Sequence, residues 1–586
     1  MAKRKKENAG AVSRDGRRVE TSSLLQRVDD ILLKRWVSLA FLAVLFLIAL
    51  LVRLSYSKYF QSALTGDAVV YAKIAWGIKN GYGLHWWSVV WSPFYPFVTA
   101  LFSIFTGNLE AATTAVSLVL GSLLVVPFFF LAKSMFNHRV AYLASILVIF
   151  FPALVVISEV PLSEATYAFF LMITLLCGWR LFMRRSYLWA FLFGIFGATC
   201  YLTRPEFLVA FACLLLLYLI IELRARDRTR PNSLVFLAVS LLGFLILALP
   251  YVNYMHSQTG HWILSGKMAH NILKERAYAQ GADYSGQREA LAQVLDGLTP
   301  EGQLTGKVLL GEENTFSFLK RPGFFGDYFR RIWLGLRKID LFLLPFLLFS
   351  LFYLFSWRME KRGWGPRLFL LFSFAPLLTM PVFFAVAGRL IEPYAPVIIL
   401  MAVAGMFNLP KLILRPRSPE GQAGAGWAGF GGAFVLVALL SVFSLSQAGR
   451  MAENYERVFQ ATSRGAAEFK KLGQWADGHL PQNASVMCLS WDSLIFYCDR
   501  QAYPVPFATW DQIVRFAQEN HIQYLLVSQS MQASWRKDLA FLLEPLDDRF
   551  KVPQDSNVKL KDIYRAPSGL GAALYEFEFQ EKMIPR

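Results

Sequence analysis

Charge is scarce in this sequence. Lysine, arginine, aspartate and glutamate together supply 17% of its 586 residues, where a soluble domain carries about 25%. With 55% of residues hydrophobic, that shortfall argues against an ordinary water-soluble globule and for a membrane protein. Cysteine is scarce as well: the five present are too few for a disulfide scaffold. Cys177, Cys200 and Cys213 fall inside apolar runs and read as small buried hydrophobes. Cys488 and Cys498 lie in the polar C-terminal region, where a bridge between them is open if that region is outside the cell. There is no HExxH and no paired CxxC, so no metal motif can be read from spacing alone. The C-terminal region has no phosphate-binding glycine loop, and the chain has no convincing internal repeat.

The formal net charge of +18 would suit a nucleic-acid binder only if the basic residues shared one patch. They do not: they sit in short clusters between apolar segments, as the positive-inside rule describes. Nucleic acid is therefore not an expected partner. The N-terminal MAKRKKE and GRR precede any apolar run, and no short apolar region with a small-residue cleavage site follows. Residues 1–35 read as a retained, basic cytoplasmic tail rather than a signal peptide.

A spanning helix needs about 20 apolar residues. Candidates fall at 36–54, 110–132, 140–158, 162–183, 187–203, 206–223, 233–253, 339–357, 367–387, 391–409 and 427–447, which predicts a polytopic α-helical membrane protein of about eleven or more spans. Basic clusters mark alternate links: Lys133 with His138 and Arg139; Arg180, Arg184 and Arg185; Arg224 to Arg230; Arg358 to Arg367; and Lys411 to Arg417. With a cytoplasmic N-terminus, all five fall on the cytoplasmic side. This requires the short apolar segment Pro93–Thr106 to be re-entrant or interfacial rather than a crossing. The expectation is a multi-pass protein of the inner (plasma) membrane, with residues 36–447 as the membrane domain.

The opposite face receives loops at 55–109 and 254–338 and the C-terminal residues 448–586. In the first loop Val70, Ile74 and Ile78 recur at helical spacing with Lys73 and Lys79 off the stripe, which predicts a helix lying flat at the interface and ended by Asn80-Gly81. The Gly-rich stretch 421–432 reads as a linker into the last span. Beyond it, helical patterns at 466–477 and 510–520 alternate with β-rich runs at 485–489, 524–528 and 573–579, which predicts a small extracytoplasmic α/β domain.

Acidic residues on that outer face are the candidates for chemistry. Asp67 follows Gly66 just before the interfacial helix. It is either the helix N-cap or a general base held near the headgroup plane. Glu159 and Glu164 flank Pro161 in ISEVPLSEATY. Ser163 could cap the next helix with Glu164 favouring its dipole, yet carboxylates so close to hydrocarbon are functional candidates by default. Two carboxylates from different loops could orient an acceptor or bind a divalent cation. Arg204 and Arg389 each sit at an outer helix end, against the positive-inside trend, and Arg204 has a local partner in Glu206. Lys267, with His256, His261 and His270, opens the large loop. Basic groups here suit an anionic phosphate at the membrane surface.

The runs GDAVVYAKIAWGIKNGYGL, SPFYPFVTALFSIFTG, FFPALVVISEVPLSEATYAFF, YLTRPEF and AGRLIEPYAPVIILMAVAG resemble, in their order and spacing, the GT-C glycosyltransferases. The most similar branch is the bacterial relatives of protein O-mannosyltransferases and lipid A aminoarabinose transferases, over about residues 55–410. The resemblance implies a sugar donor on a polyprenyl phosphate and a lipid, glycan or protein acceptor, used at the outer face of the membrane. It places a catalytic acid at Asp67 and a second at Glu164, with Glu159 its rival. It leaves a divalent metal open. In the single displacement inferred from this, Arg204, Lys267 or Arg389 would stabilise the departing lipid phosphate, and Tyr394 and His270 are further candidates for binding the substrate. Many relatives carry Asp-Glu where this chain has Asp67-Ala68. The rival classes are a transporter or flippase of lipid-linked glycans, which would place charges at the bilayer midplane, and a non-catalytic assembly subunit.

Overall fold

The computed structural model describes residues 29–57, 63–81 except 65, 87–224, 233–280, 290–312 except 291, 324–337, 343–356, 364–378, 388–414, 419–488, 496–529 except 499, 536–546, 557–566 and 571–579. The N-terminal residues 1–28 of the expected tail lie outside the described residues. The helices are α1 (Arg35–Tyr56), α2 (Asp67–Lys79), α3 (Phe94–Thr106), α4 (Leu109–Met135), α5 (His138–Phe150), α6 (Pro152–Glu159), α7 (Glu164–Arg184), α8 (Tyr187–Thr203), α9 (Phe207–Arg224), α10 (Ser233–Thr259), α11 (Gly266–Gln280), α12 (Thr305–Glu312), α13 (Phe324–Arg337), α14 (Leu344–Phe355), α15 (Gly365–Phe372), α16 (Gly388–Ile391), α17 (Ala395–Leu414), α18 (Pro419–His479) and α19 (Trp510–Glu519).

Seven of the described helices are long and apolar enough to cross a membrane; α5 and α6 pass the same test only as a pair bent by 53° before Pro152, the shape of a broken span or a re-entrant loop. Proline begins α6 because its missing N–H is not needed in a first turn. Of the other expected spans, α8 and α14 are shorter apolar helices, and 367–387 is described only in part. The segment expected to be re-entrant or interfacial is α3, a helix of 13 residues. Asparagines set the helix starts around α4. Asn108 accepts from the Glu110 amide at 2.7 Å and Asn137 from the Val140 amide at 2.9 Å, each satisfying a first-turn donor.

Helices α8 and α10 pack with their backbones in contact. A Cβ on Gly194 would run into the Ser240 carbonyl of α10, and one on Gly243 into the Phe191 carbonyl of α8. Small residues permit this approach where lipid supplies no hydrophobic drive. Farther along α10, the Tyr251 hydroxyl donates to Ser88 O at 2.9 Å, and that of Tyr254 to Trp87 O. The loop that precedes α3 is thus tied to this helix pair.

Two expectations need correction. The Gly-rich stretch 421–432 is not a linker: it lies inside α18, which continues unbroken to His479. An apolar surrounding favours the conformation that satisfies backbone groups internally, whatever the glycine content. Helix α2 is not a flat amphipathic helix with one buried stripe. Its buried residues are Ala68, Val69, Tyr71, Ala72, Ile74, Ala75 and Gly77, whereas Val70 and Ile78 are half-buried. Protein covers it, including Leu162 and Phe496. Its end does match expectation, with Asn80 as C-cap and Gly81 at φ +76°.

The C-terminal strands β1 (Ser485–Cys488), β2 (Gln501–Pro504), β3 (Tyr524–Ser528), β4 (Val558–Arg565) and β5 (Gly571–Phe577) form one sheet, in the order β2-β1-β3-β5-β4. Strands β2, β1 and β3 are parallel; β5 is antiparallel to β3 and to β4. Cys488 and Cys498 are buried in one core cluster without a disulfide between them. The C-terminal region contacts the segment around α2 and α4 through Lys470 of α18, which meets Glu110 at 2.7 Å, and through Tyr497, between β1 and β2, whose hydroxyl donates to Glu110 at 3.3 Å and accepts from the Leu64 amide at 2.8 Å. It also meets the large loop, where the Phe507 amide donates to Asp296 O at 2.8 Å.

Substituting Gly194→Val should separate α8 from α10 and cost about 1–3 kcal/mol, the range for overpacking. A thermal unfolding scan in detergent should show a lower midpoint; an unchanged midpoint would refute the close crossing.

Candidate functional site

One end of the helical bundle gathers ionisable side chains from four segments. Asp67 opens α2, and Gly66 is the N-cap, at φ +53°, a conformation glycine adopts without strain. Asp67 is therefore the first helical residue, half-buried, and not the capping residue. Glu164 likewise opens α7, after Ser163, whose side chain makes no cap hydrogen bond. The Ser163 hydroxyl instead lies 3.4 Å from that of Tyr71, on α2. The link before α7 is pinned from below by Ser117, which donates to Leu162 O at 3.1 Å.

Arg204 stands between α8 and α9 in extended conformation, its side chain 7% exposed. Its Nε donates to Glu206 Oε1 at 2.6 Å, and its Nη1 lies 3.6 Å from Glu164 Oε1. The guanidinium sits over the Tyr167 ring at 5.6 Å, and the Tyr167 hydroxyl is 2.8 Å from that of Tyr394. Lys267, in the first turn of α11, lies over the Trp91 ring at 5.0 Å. Trp91 meets Tyr71 edge-on, and Tyr71 meets Tyr95.

These groups lie within electrostatic reach of one another. Burial pushes the Lys267 ammonium below the ordinary lysine range; Arg204 adds to this, while Glu206, Asp67 and Glu164 pull the other way. Burial would raise the Glu206 carboxyl, but Arg204 and Lys267 outweigh it and hold Glu206 below the usual carboxylate range. Arg204 is in turn raised, because Glu206 and Glu164 overcome its desolvation. Burial raises the Tyr71 phenol, with Asp67 and Glu164 adding to the effect. The long contact between Arg204 and Glu164 leaves Arg204 Nη1 and Glu164 Oε2 buried without hydrogen-bond partners. Such atoms are uncommon in folded proteins and are explained by a role that other groups complete.

The other expected residues distribute differently. Glu159 is fully buried at the end of α6, both oxygens without hydrogen-bond partners, and the charge that acts on it is Arg53 of α1. It does not share Arg204 with Glu164. Tyr394 stands one hydroxyl behind Tyr167, buried. His270 follows Lys267 by one turn of α11 and is half-buried. Arg389 lies in α16, and its side chain is outside the described residues. Sequence reading missed Arg53 and gave Glu206 only a local role. Arg53 was detectable as the one charge interrupting the apolar run of α1. Among the described residues no three His, Cys, Asp or Glu side chains gather as metal ligands. Glu164 and Glu206 both face Arg204, a donor set matched to a guanidinium rather than to a divalent cation.

Residues 91–254 match the family of dolichyl-phosphate-mannose-protein mannosyltransferases. No curated protein sequence matches the chain significantly. Among solved structures, the chain is similar to ArnT from Cupriavidus metallidurans bound to undecaprenyl phosphate. That match has TM-score 0.54 and 13% identity, and covers 91% of this chain and 97% of ArnT. A second similar structure is the apo oligosaccharyltransferase of Archaeoglobus fulgidus, with TM-score 0.53, 13% identity, and coverage of 84% of this chain and 70% of that one. The chain has the GT-C glycosyltransferase fold. Within the GT-C frame the family match starts at Trp91, beneath Lys267, and includes Glu164, Arg204 and Glu206; Asp67 and Lys267 lie on either side of it.

Lys267 is charged only below its already lowered pKa. Glu206→Gln removes the strongest attraction on the ammonium, so that pKa falls further. The alkaline limb of the pH profile for any reaction that needs the ammonium should then move to lower pH than in wild type. An alkaline limb identical in the two proteins would separate Lys267 from the reaction.

Proposed function

We propose that this chain is a membrane glycosyltransferase that moves a sugar from a polyprenyl-phosphate donor to an acceptor hydroxyl on a lipid, glycan or protein. The observation that carries the reading is the convergence of Asp67, Glu164, Arg204 and Lys267 at one end of a bundle with the GT-C fold. Undecaprenyl phosphate bound to ArnT supports a lipid phosphate as the leaving group.

The chemistry is a single displacement. Asp67 takes the proton from the acceptor hydroxyl as its oxygen bonds to the anomeric carbon. The bond from that carbon to the phosphate oxygen breaks, and the lipid phosphate leaves with the electron pair. Lys267 and the Nη1 of Arg204, which has no hydrogen-bond partner, stabilise the charge that grows there. Glu164 shares Arg204 with Glu206 and orients it, and Tyr71 and Trp91 wall the sugar. Arg389, Tyr394 and His270 keep the donor-binding role that the sequence reading gives them. Glu159 stands as a partner of Arg53. A divalent metal has no assigned role.

The charge distribution supports an orientation. Lys133, His138, Arg139 and Arg185 cluster at the end of the bundle near Asp29 and the start of α1, away from the acidic site. We place that end in the cytoplasm of a plasma-membrane protein. The acidic site and the α/β sheet of residues 480–579 then open to the extracytoplasmic side, where the sheet would help select the acceptor. A flippase reading gains nothing from charges gathered at one end.

The test uses purified protein, polyprenyl-phosphate sugars and candidate acceptors. Asp67→Asn should lower transfer by about 10²–10⁴ fold with an unchanged thermal midpoint, because Gly66 and not Asp67 is the cap. Equal transfer by variant and wild type would remove Asp67 from catalysis.

A further inference from the structure

We propose a binding site for the phosphate of an anionic phospholipid at the end of the bundle opposite the acidic site. Helix α7 runs from Glu164 to Arg184 over 21 residues, about 31 Å at helical rise. At its far end a cavity of about 500 Å³ opens between α4 and α7, lined by Phe130, Lys133, Trp179, Arg180, Met183 and Arg184. Three cations face one cavity.

Three link charges at this end are matched by acids. His138 and Arg139 meet Asp29, and Arg185 meets Glu222 at 2.6 Å. Lys133, Arg180 and Arg184 differ: among the described residues no carboxylate is within ion-pair reach of them. The lining holds no acid. Arg180 is placed by stacking over Trp189 at 5.9 Å, yet its Nε is buried without a hydrogen-bond partner. Lys133 donates to Ser38 Oγ at 3.2 Å and sits over the Phe129 ring, which leaves two of its three N–H groups for a ligand. Trp179 is fixed by donation to Ser134 O at 3.2 Å.

Concentrated positive charge with orphaned donors calls for an anion with several oxygens, which a phosphodiester supplies. The apolar lining decides its source. Phe130 and Trp179 wall the cavity, and Met183, 56% exposed, opens it to the perimeter where Tyr187 and Leu188 are also exposed. A soluble phosphate gains nothing from these groups, whereas a phospholipid sets its glycerol and first methylenes against them. Basic pockets between membrane helices recognise anionic headgroups on these terms.

Native mass spectrometry and thermal scans of the full-length protein test the site, without reference to sugar transfer. Phosphatidylglycerol should stay bound and raise the wild-type midpoint by several degrees, whereas phosphatidylethanolamine and inorganic phosphate should not. The pair Arg180→Gln with Arg184→Gln should weaken phosphatidylglycerol roughly tenfold or more, and Arg180→Lys with Arg184→Lys should retain most of it. The site is overturned if phosphatidylethanolamine stabilises as well as phosphatidylglycerol, or if the glutamine pair binds undiminished. Stabilisation by inorganic phosphate equal to that by lipid would overturn the phospholipid assignment. Should the glutamine pair not fold, the wild-type comparison of the two lipids decides.

Discussion

A guanidinium held between two carboxylates, with little water around it, is the constraint from which the rest of the site follows. Arg204 has Glu206 at 2.6 Å and Glu164 at 3.6 Å, and its side chain is 7% exposed. Breaking such a pair by removing one partner typically costs about 3–5 kcal/mol, because the remaining charge stays buried. The triad therefore ties the α8–α9 turn to the start of α7. Glu164 gives the arrangement its asymmetry. Its contact with Arg204 is too long for a hydrogen bond, so both groups keep unspent hydrogen-bonding capacity. Lys267 then reports the balance, since burial and Arg204 act on its ammonium against three carboxylates.

Packing supplies the frame for this balance. The glycine-mediated crossing of α8 and α10 brings Tyr251 and Tyr254 to the loop at residues 87–91. That loop presents Trp91, over which Lys267 lies. From the other side, Lys470 of α18 and Tyr497 meet Glu110, and Tyr497 meets Leu64, just before α2, which carries Asp67. The two sides of the site are thus set by different packing contacts.

One local feature was readable from residues alone: α2 ends at Asn80-Gly81, where capping chemistry requires. Other positions were not readable. Arg367 counts in the sequence as a link charge, but it is fully buried, 4.4 Å from the Tyr353 ring centroid and donating to Tyr353 O at 3.0 Å. Glycines 421–432 suggested a linker and are helical, because a helix in an apolar setting is fixed by backbone hydrogen bonding more than by propensity. Asp67 looked equally like a cap and a base; only the positive φ of Gly66 decides that the cap is its neighbour.

By itself the sequence determined that this is a many-helix membrane chain with a polar, mixed C-terminal region. Apolar length and the spacing of basic clusters are one-dimensional quantities that a bilayer reads directly. It also nominated Asp67, Glu164, Arg204 and Lys267, because charge beside hydrocarbon is costly wherever it occurs. Tertiary structure alone decided that these four come within electrostatic reach of one another, that Glu159 turns instead to Arg53, and that Glu206 completes the triad. Such partnerships depend on which helix ends lie side by side, and residues separated by up to 200 positions carry no local signal of that adjacency.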